Sequence, residues 1–148
     1  GQNRNPCFDA CVSGVLDLDL SACNIGAAKE DVEDLKICLD TVKEDLLSLD
    51  LNDNTLCFLP VDLFDGLSKV THLRLQGNQL TTLPAGLFGP LSSLVLLDME
   101  RNSHLQCIPT TTASTVLPGD PSSSSSPCRT YGDVCASSIA RLKQCSVG

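Results

Sequence analysis

The chain has no tryptophan, one tyrosine, four phenylalanines and one methionine among its 148 residues. That length suits one domain with a sizeable core. A core built around a few large rings is excluded, so aliphatic side chains, leucine above all, must supply most of the buried surface. Histidine is nearly absent, at 2 residues, and no Cys-x-x-Cys pair occurs. The usual zinc-finger and dithiol arrangements are therefore missing, and no metal and no cofactor is expected. No apolar run is long enough to span a bilayer, so no membrane insertion is expected within this chain. No secretory leader and no Asn-x-Ser/Thr acceptor is visible, and the chain reads as a mature or trimmed product.

Positive charge is also in short supply. Ten lysines and arginines face 18 acids, for a net charge of −8. The imbalance is local: residues 1–100 hold 16 acids against 6 bases, and residues 101–148 hold 2 against 4. Nucleic acid is a poor partner for such a surface. Cysteine, by contrast, is abundant. Five of the nine lie between Cys7 and Cys57 and four between Cys107 and Cys145. Such density in a short chain points to an oxidising, extracellular location, and clustering at the two ends suits disulfide-bonded caps.

Between the clusters the sequence repeats itself. The run Leu49-Asp50-Leu51-x-x-Asn54-x-Leu56-x-x-Leu59-Pro60-x-x-Leu63-Phe64-x-x-Leu67-x-x-Val70 returns as Leu73-Arg74-Leu75-x-x-Asn78-x-Leu80-x-x-Leu83-Pro84-x-x-Leu87-Phe88-x-x-Leu91-x-x-Leu94. It restarts at Leu97-Asp98-Met99-x-x-Asn102, a period of 24. Leu-x-Leu predicts a short strand with both leucines in the core and the residue between them outside. The Asn turns the chain inward, where its amide can satisfy backbone groups of neighbouring units. One unit cannot bury its own apolar face, so the units must stack. A looser first unit, Leu18-Asp19-Leu20-Ser21-Ala22-Cys23-Asn24-Ile25, places Cys23 at the Asn position. Leu18 and Leu49 are 31 residues apart, seven more than the period. The surplus lies in Ala27 to Leu47, where Val32, Leu35, Leu39, Val42 and Leu46 recur at helical spacing. One or two helices are expected there, a second one opened by Thr41 with Glu44 as a capping box. Glu30, Asp31, Glu33 and Asp34 are expected on its solvated face.

The segment from Leu46 to Asn102 resembles the extracellular leucine-rich-repeat superfamily in its 24-residue subfamily. The stretch Leu73-Arg74-Leu75-Gln76-Gly77-Asn78-Gln79-Leu80-Thr81-Thr82-Leu83-Pro84-Ala85-Gly86-Leu87-Phe88 is similar to repeats of Toll-like receptors, Slit proteins and variable lymphocyte receptors. The cysteine caps do not follow the patterns of those proteins. The expected fold is α/β: a short right-handed leucine-rich-repeat solenoid with a parallel β-sheet on its concave face. The expected divisions are an N-terminal cap at 1–17 and about four repeats at 18–109. A Ser/Thr/Pro-rich loop, exposed or O-glycosylated, follows at 110–127, and a C-terminal cap with a short helix at 128–148. The resemblance implies binding of a partner on the concave face.

The period also aligns the outward residues in columns. Asp17, Ser48, His72 and Leu96 form one; Asp19, Asp50, Arg74 and Asp98 a second; Ser21, Asn52, Gln76 and Glu100 a third. The candidate contact residues are Asp19, Asp50, Asn52, His72, Arg74, Gln76, Asp98 and Glu100. Arg74 falls between Asp50 and Asp98 on adjacent strands, at a spacing of about 4.8 Å. Either these charges satisfy one another as an exposed ladder, or they form an acidic patch for a basic or hydroxyl-rich partner. Cys23, Asn54, Asn78 and Asn102 form the expected inward ladder. On that ground Cys23 is expected to be the unpaired cysteine. Cys38–Cys57 then joins adjacent units, and Cys7–Cys11 follows by elimination. Cys135 and Cys145, if on one helix, stand about 15 Å apart, too far to pair. Cys107–Cys135 and Cys128–Cys145 are the expected C-terminal bridges.

No enzyme is expected. Neither histidine lies in a nucleophile motif. Asp50 and Asp98, about 9.6 Å apart over two strand spacings, fall near the upper separation of an inverting carboxylate pair, but a shallow sheet face offers no closed pocket. Two binding classes remain: a secreted or cell-surface recognition module, and a secreted effector or inhibitor acting on another organism's protein. A protein is the expected ligand, with a glycan or a second copy of the chain as alternatives.

Overall fold

A computed structural model describes residues 5–26, 30–80, 83–102, 105, 108–109 and 111–117. Five parallel strands form one sheet in sequence order: β1 (Asp17–Asp19), β2 (Ser48–Asp50), β3 (His72–Arg74), β4 (Leu96–Asp98) and β5 (Thr115–Leu117). Their register follows the repeat. Leu18, Leu49, Leu73, Leu97 and Val116 are successive partners. Leu18, Leu49, Leu73 and Leu97 are buried, as are the leucines two residues on at Leu20, Leu51 and Leu75. Backbone pairing continues past each strand: Leu51 N–H donates to Arg74 C=O at 2.8 Å, and Asp53 N–H to Gln76 C=O at 2.7 Å. Parallel strands need long crossovers, and here each crossover carries its own share of the core. Leu59, Leu63, Phe64, Leu67 and Val70 serve one unit; Leu83, Leu87, Phe88, Leu91 and Leu94 serve the next. Phe64 and Phe88, one period apart, stack with centroids 6.2 Å apart and an interplanar angle of 16°. Such a pair contributes about 0.5–1.5 kcal/mol beyond its area.

The ladder forms as the period requires. Asn78 Nδ2 donates to Leu51 C=O and Leu75 C=O, each at 3.0 Å, and its Oδ1 accepts from Leu56 N–H at 3.1 Å. Asn102 repeats this with Leu75, Met99 and Leu80. Asn54 reaches Leu20 C=O, Leu51 C=O and Ile25 N–H, so the pattern survives the seven-residue surplus. The residue before each ladder position has a left-handed backbone: Ala22 (φ 52°), Asp53 (φ 58°), Gly77 (φ 71°) and Arg101 (φ 57°). The inward turn therefore imposes strain at three non-glycine residues.

The surplus before β2 contains α1 (Glu30–Val42), which buries Leu35, Cys38, Leu39 and Val42. No second helix follows it among the described residues. Thr41 lies in the last turn of α1 instead of capping a new helix, and its Oγ1 donates to Ile37 C=O at 3.0 Å. Asp31 is not on the solvated face. It is 8% exposed, and its Oδ2 accepts from Gly26 N–H at 3.0 Å, tying the helix start to the first repeat.

The N-terminal cysteines pair otherwise than expected. Cys7 bonds Cys23 with Cα atoms 6.2 Å apart, and Cys11 bonds Cys38 at 5.3 Å, both within the normal range. These bridges replace Cys7–Cys11 and Cys38–Cys57, and Cys23 is not unpaired. The physical reason is position. Cys23 heads the ladder among the described residues, and its side chain meets the cap. That cap is a 3-10 turn at Pro6–Ala10, capped by Asn5, whose side chain accepts from Cys7 N–H. Asn5 Nδ2 also donates to Cys23 C=O at 2.6 Å, joining cap and first repeat a second time. Phe8 of the turn is buried against the stack.

Strand β5 corrects the reading of 110–127 as loop throughout. Thr115 N–H donates to Val95 C=O at 2.9 Å, and Met99 N–H to Leu117 C=O at 2.7 Å. The edge of β4 would otherwise leave these groups unpaired, and the β-branched Thr115-Val116 suits an added strand. The expected bridges Cys107–Cys135 and Cys128–Cys145, and the expected C-terminal helix, lie outside the described residues.

Candidate binding face

The outward residues of the sheet stand side by side as the period places them. Asp17, Ser48, His72, Leu96 and Thr115 are successive partners, and so are Asp19, Asp50, Arg74, Asp98 and Leu117. Asp19 is exposed, and Ser48, Asp50, His72, Arg74, Leu96 and Leu117 are half-buried. Their column neighbours Asn52 and Gln76 are half-buried, and Glu100 is exposed. The face is rigid because each outward side chain alternates with a leucine locked in the core.

The aspartates do not serve Arg74. Each accepts a hydrogen bond from the backbone two residues on: Asp19 Oδ1 from Ser21 N–H at 2.9 Å, Asp50 Oδ1 from Asn52 N–H at 2.9 Å, and Asp98 Oδ1 from Glu100 N–H at 3.1 Å. This is the Asx-turn arrangement, and it shapes the exit of each strand. Asp19 also accepts from the Ser21 hydroxyl at 2.6 Å. That hydroxyl, helped by the Ser21 N–H, holds the Asp19 carboxyl below its ordinary 3.8 against a slight opposing effect of burial. Asn52 continues the pattern sideways, its Oδ1 accepting from Gln76 N–H at 2.7 Å.

Two expectations for the face change accordingly. Asp98 is 4% exposed, so it is not a contact residue. Strand β5 lies against it, with Leu117 as its register partner, and its carboxylate is committed to a turn. The exposed ion-pair ladder through Arg74 does not form either: no ion pair within 4.0 Å joins Arg74 to Asp50 or Asp98. The guanidinium has donors to spare on the face. His72, two residues before it, has Nδ1 2.9 Å from Thr71 Oγ1. The loss of Asp98 from the face also removes the Asp50–Asp98 carboxylate pair considered for glycoside hydrolysis.

Charge pairs lie elsewhere. Arg101 Nη2 meets Asp53 Oδ1 at 3.1 Å, and Lys36 of α1 meets Asp62 Oδ2 at 3.5 Å and Asp62 C=O at 3.0 Å. Lys43 holds the Asp40 carboxyl below its ordinary value by a hydrogen bond and by its charge, and Asp40 in turn raises the Lys43 ammonium. Among the described residues no group of three His, Cys, Asp or Glu side chains is arranged to hold a metal ion. Nor is any helix there long and apolar enough to cross a membrane.

Sequence reasoning missed the apolar end of the face. Val95 is 46% exposed, and Leu96 and Leu117 are half-buried beside it. The column before the first candidate column is apolar except at Thr71, with Leu16 at 51% and Leu47 at 40% exposed. Period arithmetic extended one residue toward the N-terminus would have found Leu16, Leu47, Thr71 and Val95 in one line.

No curated protein matches the chain. Residues 44–103 match the family model described as leucine rich repeat. These are the residues that supply β2 to β4, the stacked phenylalanines and the Asn54, Asn78 and Asn102 ladder. Over this segment the chain carries leucine-rich repeats.

Proposed function

We propose that this chain is an extracellular recognition module that binds a protein ligand on the outward, concave face of its sheet. Arg74 carries the reading: a half-buried guanidinium with uncommitted donors, held between strands at the centre of a rigid face. Asp19, Asp50, Asn52, His72, Gln76 and Glu100 surround it and are the other contact residues. A preorganised face lowers the ordering cost of association. Two disulfides at the N-terminal end and the high cysteine content support an extracellular setting. Leucine-rich-repeat domains commonly mediate protein binding and are typically not enzymes, which supports a non-catalytic role.

The test is to capture a partner with the full chain from extracellular fluid, then compare Arg74→Glu with Lys36→Glu. Arg74→Glu reverses the charge at the centre of the face, whereas Lys36→Glu changes α1, away from it. The proposal expects Arg74→Glu to weaken binding by about 2 kcal/mol or more while Lys36→Glu leaves it unchanged. The opposite pattern would refute it.

A further inference from the structure

The outward face changes character from one side of the sheet to the other. On β1 and β2 it presents Asp17, Asp19 and Asp50. On β3 it presents Arg74, with His72 beside it. On β4 and β5 it presents Leu96, Thr115 and Leu117, because Asp98 is buried. Along the columns formed by the strand residues the order is therefore anionic, cationic, apolar, with Leu16 and Leu47 exposed just before β1 and β2 and Glu100 exposed just past β4.

We infer that this face takes an extended segment of a protein partner running across the strands, with a basic, an acidic and an apolar residue at alternate positions. The inference rests on the proposed binding face and specifies what that face reads. The spacing supports alternation. Neighbouring strands are about 4.8 Å apart, so Arg74 lies about 7 Å from the midline of Asp19 and Asp50, and about 7 Å from the midline of β4 and β5. Residues i and i+2 of an extended chain are about 6.6 Å apart and point the same way. A Lys or Arg at i then lies over Asp19 and Asp50, and an Asp or Glu at i+2 meets the Arg74 guanidinium. An aliphatic residue at i+4 covers Leu96 and Leu117. Each charge faces its opposite, and the reversed order places acid on acid and base on base. The Asx turns do not weaken this, since a carboxylate accepting one backbone N–H keeps its charge and further acceptor sites.

Two synthetic peptides test the order directly. They share glycine-serine flanks and carry Lys-Ser-Glu-Ser-Leu or Glu-Ser-Lys-Ser-Leu at the centre. Each is titrated into the oxidised full chain and followed by amide chemical shifts, which detect millimolar binding. The first peptide should bind about tenfold more tightly, and Arg74→Glu should abolish that preference, with Arg74→Gln intermediate. Binding of both peptides within about threefold overturns the inferred order. If both are then weakened alike by Arg74→Glu, the face remains the binding site and only its reading order is wrong. If Arg74→Glu affects neither, the face itself is wrong. No binding of either peptide at millimolar concentration overturns the inferred order and leaves the face to be judged by the captured partner.

Discussion

Arg101 reaches across one whole repeat to Asp53, with Nη2 and Oδ1 3.1 Å apart and Gly77 lying between them at the equivalent position of the intervening unit. All three residues have positive φ, and a Cβ at Gly77 would strike Asp53 Oδ1. The absence of a side chain at Gly77 therefore opens the path between the two charges. Both partners are more than half exposed, at 59% and 53%, so the pair itself contributes little. The space at Gly77 matters more. Gly77→Ala should destabilise the fold by about 1–2 kcal/mol, from left-handed strain and the clash together. Arg101→Ala should change stability by less than about 0.5 kcal/mol. Denaturant midpoints of the two variants check this, and a larger loss for Arg101→Ala would contradict it.

Asn78→Ala should cost roughly 1–3 kcal/mol, because it takes the acceptor from buried Leu56 N–H and one of two amide donors from each of Leu51 C=O and Leu75 C=O. Gln79 is exposed, and Gln79→Ala should stay within about 0.5 kcal/mol. Equal losses in a urea titration would refute the inward assignment of Asn78.

That assignment was legible in the sequence because a 24-residue period fixes register and inward direction together. The columns through Asp50 and Arg74 follow from the same arithmetic. What escaped was everything aperiodic. From Leu97 to Val116 is 19 residues, five short of the period, so β5 carries no repeat signature. The burial of Asp98 is a consequence of β5 and escaped with it. Local Asx turns also competed with the ion pairs that column geometry suggested around Arg74. Disulfide partners are set by how the cap folds onto the first repeat, which cysteine spacing does not encode.

The observed bridges give a chemical prediction. Non-reducing peptide mapping should recover Cys7 with Cys23 and Cys11 with Cys38. Replacing Cys7 and Cys23 together by Ala should cost about 2–4 kcal/mol, because the bridge closes a short loop between cap and first repeat. Recovery of Cys7 joined to Cys11 would contradict the cap geometry.

Asp19 gives a pH-dependent prediction. Its folded pKa is depressed, so the hydrogen bonds from Ser21 contribute stability above the ordinary carboxylate value of 3.8. That contribution is lost as pH falls through the lower folded value. Ser21→Ala removes the hydroxyl donor and should move the Asp19 titration upward toward 3.8, as followed by its side-chain carboxyl carbon resonance. An unchanged midpoint would show that the hydroxyl does not hold the carboxylate.

Carboxylate footprinting of the chain with its captured partner tests the binding face most directly. Carbodiimide labelling of the free and bound protein, read by mass spectrometry, compares Asp19, Asp50 and Glu100 on the face with Asp62 and Asp65 in the crossover after β2. Labelling of Asp19, Asp50 and Glu100 should fall on binding while Asp62 and Asp65 label as before. Protection of Asp62 and Asp65, with Asp19, Asp50 and Glu100 unchanged, would contradict it.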